Sequence, residues 1–329
     1  MTDEEGLAAL RAGAALCDAG DRELVVATGA DRVRFLHGTV TADVAGTPVG
    51  GGCHAALLTV KAHVVAEMYI FVREADLYLV VSGAGQGGPA AEALSRYAIM
   101  DDVALALRPD VRLAALLGPT ATDHLEAVVG PAAAALAARP LWCHAEILNP
   151  PGGGGPIWLA RVRRLGAEGF WIGAAPVDLE RVTADLRARA VPLLSPAAAE
   201  AARIAAGEPA FGREITGDYF PMEVGLGSTI DYGKGCFLGQ EPVVRIRDRG
   251  HINWRLARLD VAGVSEPAPG DRLESDAKPK AGRVTSSARL PDGRGVALAL
   301  VHVSVPVGAP VRILHGETAL GAVVAADAS

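Results

Sequence analysis

The chain has 329 residues, half of them hydrophobic, a formal net charge of −7 and four cysteines. That length predicts about two domains and a core that needs no disulfide staples. The acidic start Met1-Thr2-Asp3-Glu4-Glu5 lacks a signal-peptide n-region, no run of about 18 apolar residues predicts a membrane span, and Cys17, Cys53, Cys143 and Cys236 form no CxxC, which argues against a disulfide framework or zinc knuckle. The expectation is a soluble, cytoplasmic, monomeric protein that is no bulk nucleic-acid binder. Gly and Pro number 39 and 21, about 18% together against an average near 12%. With so many apolar residues, this excess predicts turns rather than disorder.

Residues from Glu4 to Cys17 have helical apolar spacing, and Glu23 to Ala27 read as a short strand. Ala30 to His37 read as a helix with Asp31 as N-cap. Cys53–Val60, Val64–Val72 and Leu77–Ser82 are strand-like, and Pro89–Tyr97 is helical. Strands follow at Val103–Leu107 and Val111–Leu117, then a helix at Thr120–Val129. Asn149-Pro-Pro-Gly-Gly-Gly-Gly-Pro156 reads as a flexible loop, linker or insertion. Beyond it come strands at Ile157–Val162 and Phe170–Ile172 and helices at Val177–Ala190 and Pro196–Ala206. Gly212 to Gly250 has weak periodicity. From Trp254 onward, short apolar stretches alternate with turns, the signature of a small antiparallel barrel. The mixture predicts α+β layers.

Gly83-Ala-Gly-Gln-Gly-Gly88 matches GxGxxG, but the strands before it look antiparallel, so it reads as a plain strand–helix turn. Gly233-Lys234-Gly235 lacks the upstream Gly and the Ser or Thr of a P-loop. In Lys234-Gly-Cys236-Phe-Leu-Gly239-Gln240-Glu241, the glycines permit close backbone approach, and nearby cations favour a thiolate. By itself the segment fits either a reactive Cys236 or a free cysteine buried in a glycine turn. Arg245, Arg247, Arg249, His251, Arg255 and Arg258 form a basic run that fits a polyanion site (the glutamyl tail of a folate, or RNA) or a solvated strand face paired with Asp248 and Asp260. Cys53-His54 and Cys143-His144 point to opposite faces if they lie in strands, which argues against a metal site.

The octapeptide resembles the K-G-C-[aromatic]-x-G-Q-E signature of the YgfZ family, folate-binding relatives of the glycine-cleavage T-protein (aminomethyltransferase). Phe35-Leu-His-Gly-Thr-Val-Thr41-Ala-Asp43-Val44 resembles its F-L-x-G-x-x-T-x-D-V stretch, and Lys61 to Met68 its strand pair around a K-G-R turn. Arg203-Ile-Ala-Ala-Gly207-Glu-Pro209 and Pro221-Met-Glu223-Val-Gly225-Leu226 resemble the segments that lead to the signature. There are departures. Ala205 stands where family members commonly have Glu, Ala62 and His63 replace the Gly and Arg of the turn, and Phe237 replaces Tyr. Trp254 stands where Arg is usual. Glu67 takes the place of the T-protein's catalytic Asp.

The resemblance implies an α+β, T-protein-like three-lobed ring with a small C-terminal antiparallel β-barrel. Its expected parts are an N-terminal lobe at 1–148, a second lobe carrying the signature at 157–250, and the barrel at 251–329. It implies a tetrahydrofolate-binding accessory protein that supports maturation or repair of iron–sulfur client proteins. Cys236 would be the reactive thiol and Lys234 would tune it. Arg203 and Glu223 would line the central cavity, and Gln240, Glu241 and Arg245 would organise the loop around ligand or partner. The alternative is a folate-dependent aminomethyltransferase or other one-carbon transferase, with Glu67 as the carboxylate near the reactive nitrogen. A module with the fold but without folate is the third possibility.

Overall fold

The computed structural model describes residues 2–263, 265–276 and 278–327. The chain opens with α1 (Asp3–Ala12) and β1 (Ala15–Asp18), followed by β2 (Arg22–Thr28), α2 (Arg32–Thr39), β3 (Gly52–Leu58), β4 (Val64–Val72), β5 (Leu77–Ser82) and α3 (Gly87–Ser95). Then come β6 (Ala104–Leu107), β7 (Arg112–Leu117), α4 (Ala121–Val129), α5 (Ala132–Ala137), β8 (His144–Ile147), β9 (Ile157–Arg164), β10 (Ala167–Ala174), α6 (Pro176–Ala188) and α7 (Pro196–Ala205). Two single 3-10 turns, at Pro221–Glu223 and Gly227–Thr229, lead to α8 (Gln240–Arg249). The remainder is β11 (Trp254–Val261), β12 (Arg272–Ser275), β13 (Lys278–Arg289), β14 (Gly295–His302), β15 (Pro310–His315) and β16 (Thr318–Asp327).

Two antiparallel five-stranded sheets form the body. One has the order β3-β4-β5-β2-β6 and the other β1-β7-β10-β9-β8. Their inner faces pack together through Leu24, Tyr69, Phe71 and Val80 on one side and Leu113, Leu117, Trp158 and Trp171 on the other. The outer face of the first sheet is covered by Phe35 and Leu36 of α2 and Leu94 of α3. The outer face of the second is covered by Leu125 of α4, Leu136 of α5 and Val182 of α6. Both sheets are therefore buried on two sides. This is why β4 reads as a continuous apolar run rather than an alternation. Each large side chain removed from water here contributes about 1.5–3 kcal/mol.

β11 to β16 close a six-stranded barrel, with β16 pairing back to β11. A separate apolar cluster joins barrel to body through Leu58, Val64, Ile204, Val224, Phe237, Val243, Leu256 and Leu298.

Three expectations change. The helix expected over Glu4–Cys17 ends at Ala12, and the last residues of that run form β1, which pairs with β7. The division placed at residues 148–157 falls inside the β8–β9 hairpin, and the second sheet takes β1, β7 and β8 from before it. Residues 1–148 therefore do not form a unit of their own. The basic run is no single strand face, because Arg245, Arg247 and Arg249 lie on α8 and only Arg255 and Arg258 on β11.

Candidate functional site

Side-chain alternation puts Glu67, Tyr69 and Phe71 of β4 on the face that meets the second sheet. Toward the β3 side this face opens into a cavity of about 440 Å³. His54, Glu67, Tyr69, Trp142, Arg163 and Arg164 are among its lining residues. The volume lies within the range of ligand clefts, about 300–1,000 Å³.

His54 of β3 is directly opposite Tyr69 of β4, so its diagonal neighbour two residues back is Glu67. Its Nε2 lies 2.8 Å from Glu67 Oε1, and its ring stacks on Tyr69 with centroids 4.1 Å apart and planes 6° off parallel. Trp142 continues the wall, 4.7 Å from the Tyr69 ring. It takes φ +67°, a left-handed conformation that costs a bulky residue about 1–2 kcal/mol.

Glu67 is buried, and burial alone would raise its pKa. The hydrogen bond and charge of His54, the Arg22 guanidinium and Ser82 outweigh this and hold the carboxyl down at about 2. Glu67 Oε2 and Ser82 Oγ are both shielded from water without a hydrogen bond of good geometry. Opposite, buried Arg164 pairs with Glu208, whose other oxygen accepts from the Leu165 amide at 2.7 Å. Arg163 is exposed at the cavity's edge and has no hydrogen-bond or ion-pair partner among the described residues.

A second cavity, of about 640 Å³, has a mixed polar and apolar lining. Leu7, Leu10, Phe170 and Ala205 contribute to its lining, with Arg161 and Glu168 paired at 2.7 Å beside them. It shares Gly166 and Ala206 with the first. Ala205 lines this second cavity and not the one that holds Glu67.

The signature loop lies elsewhere, over the turn between β3 and β4. Gly239 takes φ +80°, and a Cβ there would come 2.5 Å from Thr59 O and 3.4 Å from Ala62 Cα. Only glycine fits both the conformation and the close approach. Phe237 is buried against this hairpin, and Cys236 is exposed.

Lys234 points inward. Its Nζ donates to the carbonyl of His37, to that of Val40 at 2.6 Å and to that of Ala42 at 2.7 Å. These three bonds occupy the ammonium's donors and fasten the loop to the end of α2. Burial brings its pKa down to about 8 against the opposing pull of Asp43, Cys53 and Asp231. Lys234 is thus a clamp, and with its donors spent the expected tuning of Cys236 would act through its charge alone.

The other expected site residues divide similarly. Arg203 does not line the Glu67 cavity. It is buried between Glu200, Glu214 and Ser286 of the barrel. Glu223 does not line it either. Its carboxylate accepts from the amides of Phe220, Asn253 and Trp254, tying a 3-10 turn to the start of β11. Both are joints between body and barrel. Gln240 reaches back to Gly235 O at 3.4 Å, and Glu241 and Arg245 form an exposed pair at 2.6 Å on α8. Four of the six side chains in the basic run are paired with acids: Arg245, Arg247, Arg255 and Arg258. Among the described residues no group of three or more His, Cys, Asp or Glu could hold a metal ion.

A family model described as the GCVT N-terminal domain matches residues 2–234. The chain belongs to that family. Its relatives include the tRNA-modifying protein YgfZ of Yersinia enterocolitica, 27% identical over 278 residues that cover 83% of this chain and 80% of that one. An aminomethyltransferase of Herpetosiphon aurantiacus is 26% identical over 319 residues, 96% of this chain and 86% of that one. A chloroplastic protein of Arabidopsis thaliana, whose transferase activity is itself only proposed, is 28% identical over 296 residues. These cover 89% of this chain and 66% of the plant protein's length. The crystal structure of the glycine cleavage system aminomethyltransferase T from Bartonella henselae superposes with a TM-score of 0.85 at 21% identity, covering 98% of this chain and 88% of that one. The GCVT-like fold with its C-terminal barrel is thereby shown. No helix among the described residues is long and apolar enough to cross a membrane.

The sequence singled out Glu67 but not its partners. His54, Trp142 and the Arg164–Glu208 pair were missed. The signal for His54 was present, since two facing strands with a two-residue offset bring an imidazole and a carboxylate together.

Proposed function

We propose that this protein binds a reduced folate, tetrahydrofolate, in the cavity between the two sheets and acts as an accessory protein with Cys236 as its reactive thiol. The observation that carries the folate half is the cavity wall itself. A buried ionised carboxylate, the stacked rings of His54 and Tyr69 with Trp142 tilted beside them, and unpaired Arg163 at the edge lie around one space of about 440 Å³. A pterin is flat and rich in N–H donors, and its glutamyl tail is anionic, so the lining residues suit the group. Folate would supply one-carbon chemistry there. The chain's own residues bind and orient it.

Cys236 is the exposed thiol of the four and sits on a loop clamped by Lys234. Support of iron–sulfur protein maturation or repair is the role that the resemblance of the signature octapeptide to the YgfZ family implies. The YgfZ relative is named for tRNA modification, but the pairing of the basic run does not favour RNA contact here. Calorimetry with tetrahydrofolate should find one site per chain, and no detectable heat would refute the folate half. A strain lacking the protein should recover iron–sulfur enzyme activity with the native chain and not with Cys236→Ser. Full rescue by the serine variant would refute the thiol's role.

The aminomethyltransferase relatives and the acidic Glu67 favour a second reading, one-carbon transfer. Robust methylenetetrahydrofolate formation from a one-carbon donor, abolished in Glu67→Gln, would establish it in place of the accessory role.

A further inference from the structure

Glu67 occupies the place where a catalytic carboxylate is expected, yet one of its oxygens is committed to a neighbour and the other is shielded from water. The neighbour is in the better position to meet a ligand. His54 lines the cavity, is partly open to it, and presents a ring fixed on two sides, by the Tyr69 stack and by Glu67. An ionised carboxylate can only accept, so the bond at 2.8 Å assigns the proton to Nε2 in the neutral ring. Nδ1 then carries the lone pair, and it has no protein partner among the described residues.

We propose that His54, oriented by Glu67, is the group that exchanges a proton with the ligand of this cavity, and that Glu67 is its positioning residue. This deepens the folate reading above and rests on it for the ligand's identity. In the charged form both ring nitrogens hold protons. His54 gives the Nδ1 proton to a basic nitrogen of the ligand and becomes the neutral Nε2–H tautomer, still bonded to Glu67. It regains the proton from water at the cavity mouth. No electrons move, and Glu67 stays ionised throughout. A carboxylate that holds a tautomer without itself taking the proton is a recurrent arrangement in acid–base catalysis.

The charged and titratable groups around the dyad are Tyr69 on the same strand as Glu67, Arg22 on β2, Arg163 and Arg164 on β9, and Glu208 after α7. Arg164 is matched by Glu208, and Arg22 by Asp21 at 2.7 Å. Burial drives the Tyr69 hydroxyl upward, so it stays protonated, and the His54 ring is the wall group with a ring nitrogen unpartnered among the described residues.

Two measurements test the proposal separately. Imidazole nitrogen NMR on the ligand-free protein at mildly alkaline pH should show His54 as the Nε2–H tautomer, with the preference lost in Glu67→Gln. The opposite tautomer, or one indifferent to Glu67→Gln, would overturn the dyad whatever the ligand. Calorimetry with tetrahydrofolate across neutral pH, in buffers of different ionisation enthalpy, should show proton exchange on binding. His54→Gln should bind more weakly and, at saturating tetrahydrofolate, exchange no proton. Native-like proton exchange in His54→Gln would refute the transfer. Absence of all folate heat in the native chain would remove the ligand half together with the folate reading, and the tautomer would still decide the dyad.

Discussion

Replacing Lys234 by Met tests whether the residue is a clamp. The substitution keeps most of the side-chain volume and removes the donors to the His37, Val40 and Ala42 carbonyls. A buried acceptor left without a partner costs about 1–3 kcal/mol. Ala42 O keeps its bond from the Val44 amide, so two are left bare, at a cost of up to about 6 kcal/mol if nothing else changed. Relief of the ammonium's burial, worth several kcal/mol, offsets part of this. The expected net cost is about 2–4 kcal/mol, confined to the contact between the loop and α2, since the barrel and second sheet do not touch these bonds. At about 1.4 kcal/mol per factor of ten, amide hydrogen exchange in residues 37–42 and 231–240 should accelerate roughly thirty- to a thousand-fold. Exchange in β9, β10 and β14 should stay near native. Protection in the loop within about threefold of native would refute the clamp and restore Lys234 as a candidate tuner of Cys236.

Cys236 should alkylate before the other three cysteines near neutral pH, because burial pushes Cys17 and Cys53 up to about 11 and Cys143 is enclosed; peptide mapping after brief labelling would show the order. Glu67 has a depressed pKa in the folded protein, so its contribution, about 3 kcal/mol for a shift from 4.5 to about 2, is present above pH 4.5 and lost as pH falls toward 2. Denaturant titrations should therefore show a loss between those values that is absent in Glu67→Gln, and an unchanged acid slope in the variant would contradict the assignment. Gly239→Ala forces a Cβ against Thr59 O and strains φ, so it should destabilise by about 2 kcal/mol or more and expose Phe237; native unfolding behaviour would show that the close approach is dispensable.

What the sequence disclosed follows from how local each feature is. β4 and β5 were readable because burial on both faces leaves a run of Val, Ile, Leu, Tyr and Phe with no competing pattern. The end of α1 was not, because apolar residues continue through Gly13 into β1, and only pairing with β7, about a hundred residues away, separates helix from strand. α8 escaped notice because its apolar residues, Val243, Val244 and Ile246, fall within about one turn, too few to stand out as a periodic pattern, and only Val243 is buried. The same limit explains Arg203 and Glu223. A buried charge beside a motif reads alike whether it meets a ligand or a neighbouring amide. The partners that decide it, Ser286, Asn253 and Trp254, lie tens of residues further along.

The Glu67 cavity and the Cys236 loop share no lining residue, yet they meet on one element. β3 and β4 carry His54 and Glu67 along their length, and the turn that joins them is the surface on which Gly239 and Phe237 rest. A hairpin this short transmits position because its register is fixed by the His54–Tyr69 pairing and by the Thr59–His63 backbone bond at 2.8 Å. This gives the proposed folate and thiol sites a physical link without contact between them. Whatever orders the dyad also orders the floor beneath the loop, and loosening Gly239 should be felt at His54 before it is felt in the barrel.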